Sequence, residues 1–200
     1  MTRHRSAALL AFALVGSAAV AHGQETASAC TKAIARARAL AAKNLRGRSL
    51  DIDRLSNCGR EGAAAVGDVF HKSRASRDME LLEQLISYST GQDGLVLLEP
   101  LLAVAQDREA TREARVVAML GLMSLRAGQG GPGFWDITGG FDATGEPARG
   151  CGYSRTTTDR GRFPQPPPAD RARIVAAAKR IRADSTASID VRTAAACLAG

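Results

Sequence analysis

Apolar positions between Gly94 and Leu125 recur at helical spacing in two successive blocks. Leu97, Leu98, Leu101, Leu102 and Ala105 form one stripe; Ala114, Val117, Ala118, Gly121, Leu122 and Leu125 form a second, broader one. An i, i+3, i+4 recurrence marks an amphipathic helix, so the stretch predicts two helices joined at Asp107. Pro100 lies inside the first stripe. It lacks an N–H and crowds the carbonyl four residues back, so it should start that helix or kink it. Asp107 should close the first helix and accept hydrogen bonds from the open N–H groups of the second. Small side chains at Ala118 and Gly121 predict close approach of a neighbouring helix. Neither helix can bury its stripe alone, so the pair requires neighbours.

The same period predicts further helices. One should run from about Thr31 to Asn44, and another from Gly59 through His71 with Ala63, Ala64, Val66, Gly67 and Phe70 on its small-residue face. Ser76 is a candidate N-cap for a third, striped by Met79, Leu81, Leu82, Leu85 and Ile86 and ended by Gly91. Asp78, Glu80 and Glu83 sit toward its start, where the helix dipole favours negative charge. Aromatics make up only 4% of the chain, while Ala and Leu are plentiful, which suits close-packed helices better than a sheet.

Leu98-x-Pro100-Leu101, Asp107, Arg115-x-x-Ala118 and Gly121-Leu122 together resemble the HEAT repeat, a helix pair with a proline in its first helix and an Asp…Arg-x-x-Ala hallmark. Asp184, Val191-Arg192-x-x-Ala195 and Leu198 repeat the pattern with the same Asp-to-Arg spacing; Arg60-x-x-Ala63-x-x-Val66-Gly67 is a fainter third copy. The resemblance is to HEAT-repeat proteins of an exported bacterial type. It implies an all-α fold, a short α-solenoid of HEAT-like helical hairpins. Pro100, Asp107, Arg115, Asp184 and Arg192 would be its structural repeat residues, capping helices and bridging neighbouring units.

Residues 1–23 read as a signal peptide: Arg3, His4 and Arg5 give a positive start, Ala7 to Val15 a short apolar core, and Ala19-x-Ala21 or Ala21-x-Gly23 small residues for cleavage. Residues 24–200 then form a single helical domain that is periplasmic or extracellular. No later apolar run approaches the roughly 20 residues that a membrane-spanning helix needs. Export changes the reading of the cysteines. Cys30, Cys58, Cys151 and Cys197 are an even set for an oxidising compartment, and four allow three pairings. Cys30–Cys58 and Cys151–Cys197 are favoured, because Ser49–Asn57 can return along the first helix. No Cys-x-x-Cys occurs and His71 is the one histidine after the leader, so neither a metal nor a cofactor is expected.

Residues 127–169 change texture. They hold most of the Pro, the run Gly130-Gly131-Pro132-Gly133, and Phe134, Trp135, Phe141, Tyr153 and Phe163. The stretch predicts a long Gly/Pro/aromatic loop insertion before the last helix pair, tied down by Cys151. Its candidate binding residues are Phe134, Trp135 and Tyr153, with Arg149, Arg155, Arg160 and Arg162 as fork-shaped donors. The competing reading packs the aromatics inward and leaves the arginines solvated.

Charge narrows the partners. The formal net charge is +7, and setting aside Arg3 and Arg5 of the leader leaves a surplus of five. That is a mixed, mildly basic surface, and with no Lys/Arg block or aromatic-basic array it predicts no nucleic-acid partner. The glycines form no phosphate loop, because no Gly-Lys-Ser/Thr follows them. Asp136, Asp142 and Asp159 lack calcium-loop spacing, and His71 has no partner for nucleophilic catalysis. The expected function is therefore a non-catalytic periplasmic or extracellular protein–protein adaptor or scaffold, an associational reading because fold does not fix function. The alternative is a binder of an acidic envelope polymer or lipid surface through the Arg/aromatic loop. A hydrolase with an unrecognised carboxylate site is third.

Overall fold

The computed structural model describes residues 27–39, 55, 57–86, 93–127, 151 and 165–200. Among these residues the fold is all-α, without a strand. Seven α-helices are bounded among the described residues: α1 (27–39), α2 (Gly59–Lys72), α3 (Met79–Ile86), α4 (Leu98–Gln106), α5 (Arg112–Ala127), α6 (Pro168–Ala183) and α7 (Ile189–Ala199). The expected first helix begins earlier than Thr31, and its expected end at Asn44 lies outside the described residues, as does Gly91.

The helices pack as pairs: α2 with α3, α4 with α5, and α6 with α7. The first members touch in succession, α2 to α4 to α6, and so do the second members, α3 to α5 to α7. One apolar core runs through all of them, from Ile34 on α1 through Phe70, Leu82, Leu101 and Met119 to Ile174 and Leu198. Every residue of α5 from Ala114 to Leu125 is buried, because α3, α4, α6 and α7 all touch it. A helix so enclosed must satisfy its polar groups locally, and Ser124 does so by donating to the Leu120 carbonyl at 3.1 Å.

Several local expectations are corrected. Pro100 does not begin α4, which starts two residues earlier at Leu98. The proline is the third residue of the helix, where an N–H has no intrahelical acceptor to lose, and the tighter turn Gly94–Leu97 precedes it. Its ring instead lies against α2: a Cβ added to Gly67 would sit 2.9 Å from Pro100 Cγ, so glycine is what permits that approach. Ser76 does not cap α3. Its Oγ accepts from the Asp78 N–H, and Asp78 Oδ1 accepts from the Leu81 N–H at 3.1 Å, which makes Asp78 the cap. Arg60-x-x-Ala63 lies on α2, the first member of its pair, so it is out of register with the two copies on α5 and α7. The expected insertion 127–169 lies, apart from Ala127, Cys151 and residues 165–169, outside the described residues.

Cys30 is bonded to Cys58 (Cα–Cα 5.4 Å), joining α1 to the start of α2, and Cys151 to Cys197 on α7 (Cα–Cα 5.2 Å). No described helix is long and apolar enough to cross a membrane.

Candidate functional site

Of the sequence-predicted repeat residues, Asp107, Arg115, Asp184 and Arg192 lie at or just after the turns between paired helices, whereas Pro100 lies in the first turn of α4, against Gly67 of α2. The turn from α4 to α5 begins at Asp107, whose Oδ1 accepts the Glu109 N–H at 2.9 Å. The turn from α6 to α7 begins at Asp184, whose Oδ1 accepts the Thr186 N–H at 3.0 Å and its hydroxyl at 2.6 Å. Both aspartates leave their helices in extended backbone, and the buried alanines Ala110 and Ala187 each close the turn onto the aspartate carbonyl. Thr111 Oγ1 accepts the Ala114 N–H at 3.2 Å, and Ser188 Oγ accepts the Val191 N–H at 3.4 Å. The caps of α5 and α7 are thus Thr111 and Ser188. Asp107, expected to cap α5, folds its own turn instead.

Successive turns are linked by arginine. Arg74, in the turn after α2, pairs with Asp107 at 3.1 Å, and Arg108 pairs with Asp184 at 3.0 Å. Arg112 at the start of α5 reaches Asp190 on α7 at 3.0 Å. Arg115 is buried, and its Nε donates to the Ala105 carbonyl at 3.2 Å, so it closes its own hairpin rather than bridging to the next. Burial lowers the pKa of its guanidinium, with Asp184 and Asp107 acting against that. Arg192, the equivalent on α7, is half-buried. The Thr186 hydroxyl and N–H hold the Asp184 carboxyl below its ordinary range, and Arg108 adds to this. At Glu113 burial pushes the pKa up, but the helix N–H it accepts from and Arg112 outweigh it.

The opposite end of the same hairpins carries a groove of about 420 Å³ that sequence reasoning missed. Its described lining is Arg171, Ala172, Val175, Ala176 and Lys179 along one side of α6, closed by Arg126 at the end of α5. Arg126 is held there by the Leu198 and Gly200 backbone oxygens, the latter at 3.0 Å. Arg171 donates to Gln165 Oε1 and the Pro166 carbonyl. No carboxylate side chain is among those lining residues. The i, i+1, i+4, i+5, i+8 spacing from Arg171 to Lys179 was a readable signal for one face of α6, but the approach of Arg126 was not. Phe134, Trp135, Tyr153, Arg149, Arg155, Arg160 and Arg162, the sequence-predicted binding set, lie outside the described residues.

Comparison of the chain with protein-family models, with curated proteins and with solved structures returns no match.

Proposed function

We propose that this chain is a non-catalytic protein–protein adaptor, exported to the periplasm or beyond, built as a short α-solenoid of three hairpins of the HEAT type. The observation that carries the reading is the repeat of one turn at an offset of 77 residues: Asp107 and Asp184, Ala110 and Ala187, Thr111 and Ser188, Arg115 and Arg192. Repeating hairpins that each contact only their neighbours present extended surfaces for partners. Two disulfides support an oxidising compartment, as does the apolar leader ending near Ala21.

The groove favours a second reading, a binder of acidic envelope polymer or of an anionic lipid surface, because Arg126, Arg171 and Lys179 converge there. Ionic strength separates the two. Site-specific crosslinking from the envelope of an expressing cell should trap a discrete protein whose complex survives moderate salt. Retention of polymer or vesicles only, lost over the same salt range, overturns the adaptor reading.

A further inference from the structure

The two disulfides differ in what surrounds their sulfurs. Cys197 is 6% exposed, on a helix enclosed from Thr193 to Leu198. Cys30 and Cys58 are both half-buried, and Cys58 stands at the N-cap of α2. The open N–H groups and the positive end of the helix dipole at that place favour a thiolate, whereas an apolar interior disfavours one. A disulfide breaks faster when the sulfur expelled is the more acidic thiol. Cys58 is thus a good leaving group and Cys197 a poor one.

The Cys30–Cys58 bond also fastens a lightly held helix. Arg38, two turns beyond Cys30, pairs with Asp68 of α2 at 3.4 Å, so α1 runs along α2 in the same direction. The inward stripe of α1 is Cys30, Ala33, Ile34 and Ala37, of which Ile34 and Ala37 alone are buried. Thr31, Lys32, Arg36 and Arg38 are exposed, the polar outer face of a terminal cap. Both partners of the Arg38–Asp68 pair are open to water, so it adds little. Two buried side chains are a small hold for a helix, whose ordering must be offset by what it buries.

We propose that Cys30–Cys58 is a reversible latch, opened by a dithiol of the thiol–disulfide oxidoreductase class, and that opening it releases α1 while α2 to α7 stay folded. The proposal rests on the exported reading only in that the bond must first form in an oxidising compartment. The attacking thiolate bonds Cys30 Sγ, the bond to Cys58 breaks, and Cys58 leaves as the thiolate at the start of α2. The second thiol of the reductant then attacks its partner sulfur in the mixed disulfide and expels Cys30. Two electrons and two protons pass from the dithiol to the two cysteines, and the reductant ends as a disulfide. The same attack at Cys151 would have to expel Cys197 into the core.

The test reduces the oxidised full chain with graded dithiothreitol, blocks each new thiol with N-ethylmaleimide and maps the labels by mass. Cys30 and Cys58 should be labelled about tenfold or more faster than Cys151 and Cys197. Amide exchange should then rise across 27–39 while α2 to α7 keep their protection. In Cys30→Ala, the free Cys58 thiol should alkylate with a pKa below the ordinary value of about 8.5, a readout that a merely structural bond would not move. Three results each overturn the proposal: Cys151 and Cys197 opening first or in step, α1 staying protected once Cys30 and Cys58 are reduced, or an ordinary pKa at Cys58. The exported reading fails separately. Chain taken from an expressing cell with every cysteine reduced removes that reading, whereas the latch is measured on chain oxidised in vitro.

Discussion

Arg108 and Asp184, in successive interhelical turns, form an ion pair at 3.0 Å, and Arg74 and Asp107 form its counterpart one hairpin earlier at 3.1 Å. Each aspartate spends one oxygen on its own turn and the other on the arginine of the preceding turn. The arginines are open to water while the aspartates are half-buried, and surface pairs of this kind contribute only about 0–1 kcal/mol each, so their effect is on register rather than on stability. Arg108→Ala should therefore leave the melting temperature nearly unchanged. A double-mutant cycle with Asp184→Asn, read by chemical denaturation, should give a coupling energy of less than about 1 kcal/mol. A much larger coupling would mean that the pair is shielded from water.

Thr111 has more to lose than its counterpart Ser188. Its hydroxyl donates to the Ser76 carbonyl at 2.6 Å while accepting from the Ala114 N–H, so one side chain caps α5 and ties it to the preceding turn. Among the described residues the Ser188 hydroxyl makes the cap alone. Loss of a cap costs about 1 kcal/mol, and an unsatisfied part-buried carbonyl adds about 1–3. Thr111→Val should destabilise by about 2–4 kcal/mol and Ser188→Ala by about 1, both measured by urea unfolding. Equal losses would place the Ser76 carbonyl in contact with water.

Acid should act on stability through the Asp184 carboxyl. Hydrogen bonds from Thr186 lower the pKa of Asp184, so its unfolded value lies above its folded one. A group of this sign contributes stability above its unfolded pKa, near 3.9 for an aspartate, and loses it as the pH falls through the folded value. Thr186→Val removes the hydroxyl donor and should raise the Asp184 pKa in an NMR titration. It should also move the acid limb of the stability curve toward higher pH. An unchanged titration would show that the backbone N–H and Arg108 suffice.

The helical stripes were legible because burial on one side leaves a period, and α4 and α5 appear where Leu101 and Ala118 placed them. The second copy was legible through one spacing, Asp184 to Arg192. Caps were less so: Asp107, Ser76 and Asp78 are all good acceptors, and which N–H each meets depends on a turn longer or shorter by one residue. The Asp–Arg links between turns join residues 33 and 76 apart, and sequence carries no signal for such pairs. The groove needs Arg126 brought beside α6, a consequence of helix packing alone. Helix α7 hid its burial for a related reason: enclosed at Thr193 through Leu198, it shows no stripe to read.

Breaking the Cys151–Cys197 bond should weaken the last hairpin most, because Cys197 is buried on α7 and the bond closes a loop spanning 46 residues. Cys151→Ser/Cys197→Ala should lose about 2–4 kcal/mol. Hydrogen exchange should rise first in α6 and α7 while α2 to α5 stay protected, if the stack opens from its end. Uniform exchange across all helices would mean that the hairpins unfold as one unit.

Gly121 and Leu101 give the sharpest packing test. A Cβ added to Gly121 would lie 3.0 Å from both Leu101 methyl carbons and 3.4 Å from Ile86 Cγ2. Alanine should gain up to about 1 kcal/mol of helix propensity over glycine, whereas overpacking a filled core costs about 1–3. Leu101 is itself 1% exposed, so its tip has little room to withdraw. Gly121→Ala should therefore destabilise, and Leu101→Ala should cost about 2–5 kcal/mol through the cavity it leaves. In the double variant the new methyl enters that cavity, so Gly121→Ala should become neutral or stabilising on the Leu101→Ala background. The reversal of sign, read from urea midpoints of four proteins, can arise only if the two residues meet. Additive losses would separate α4 from α5 at this point.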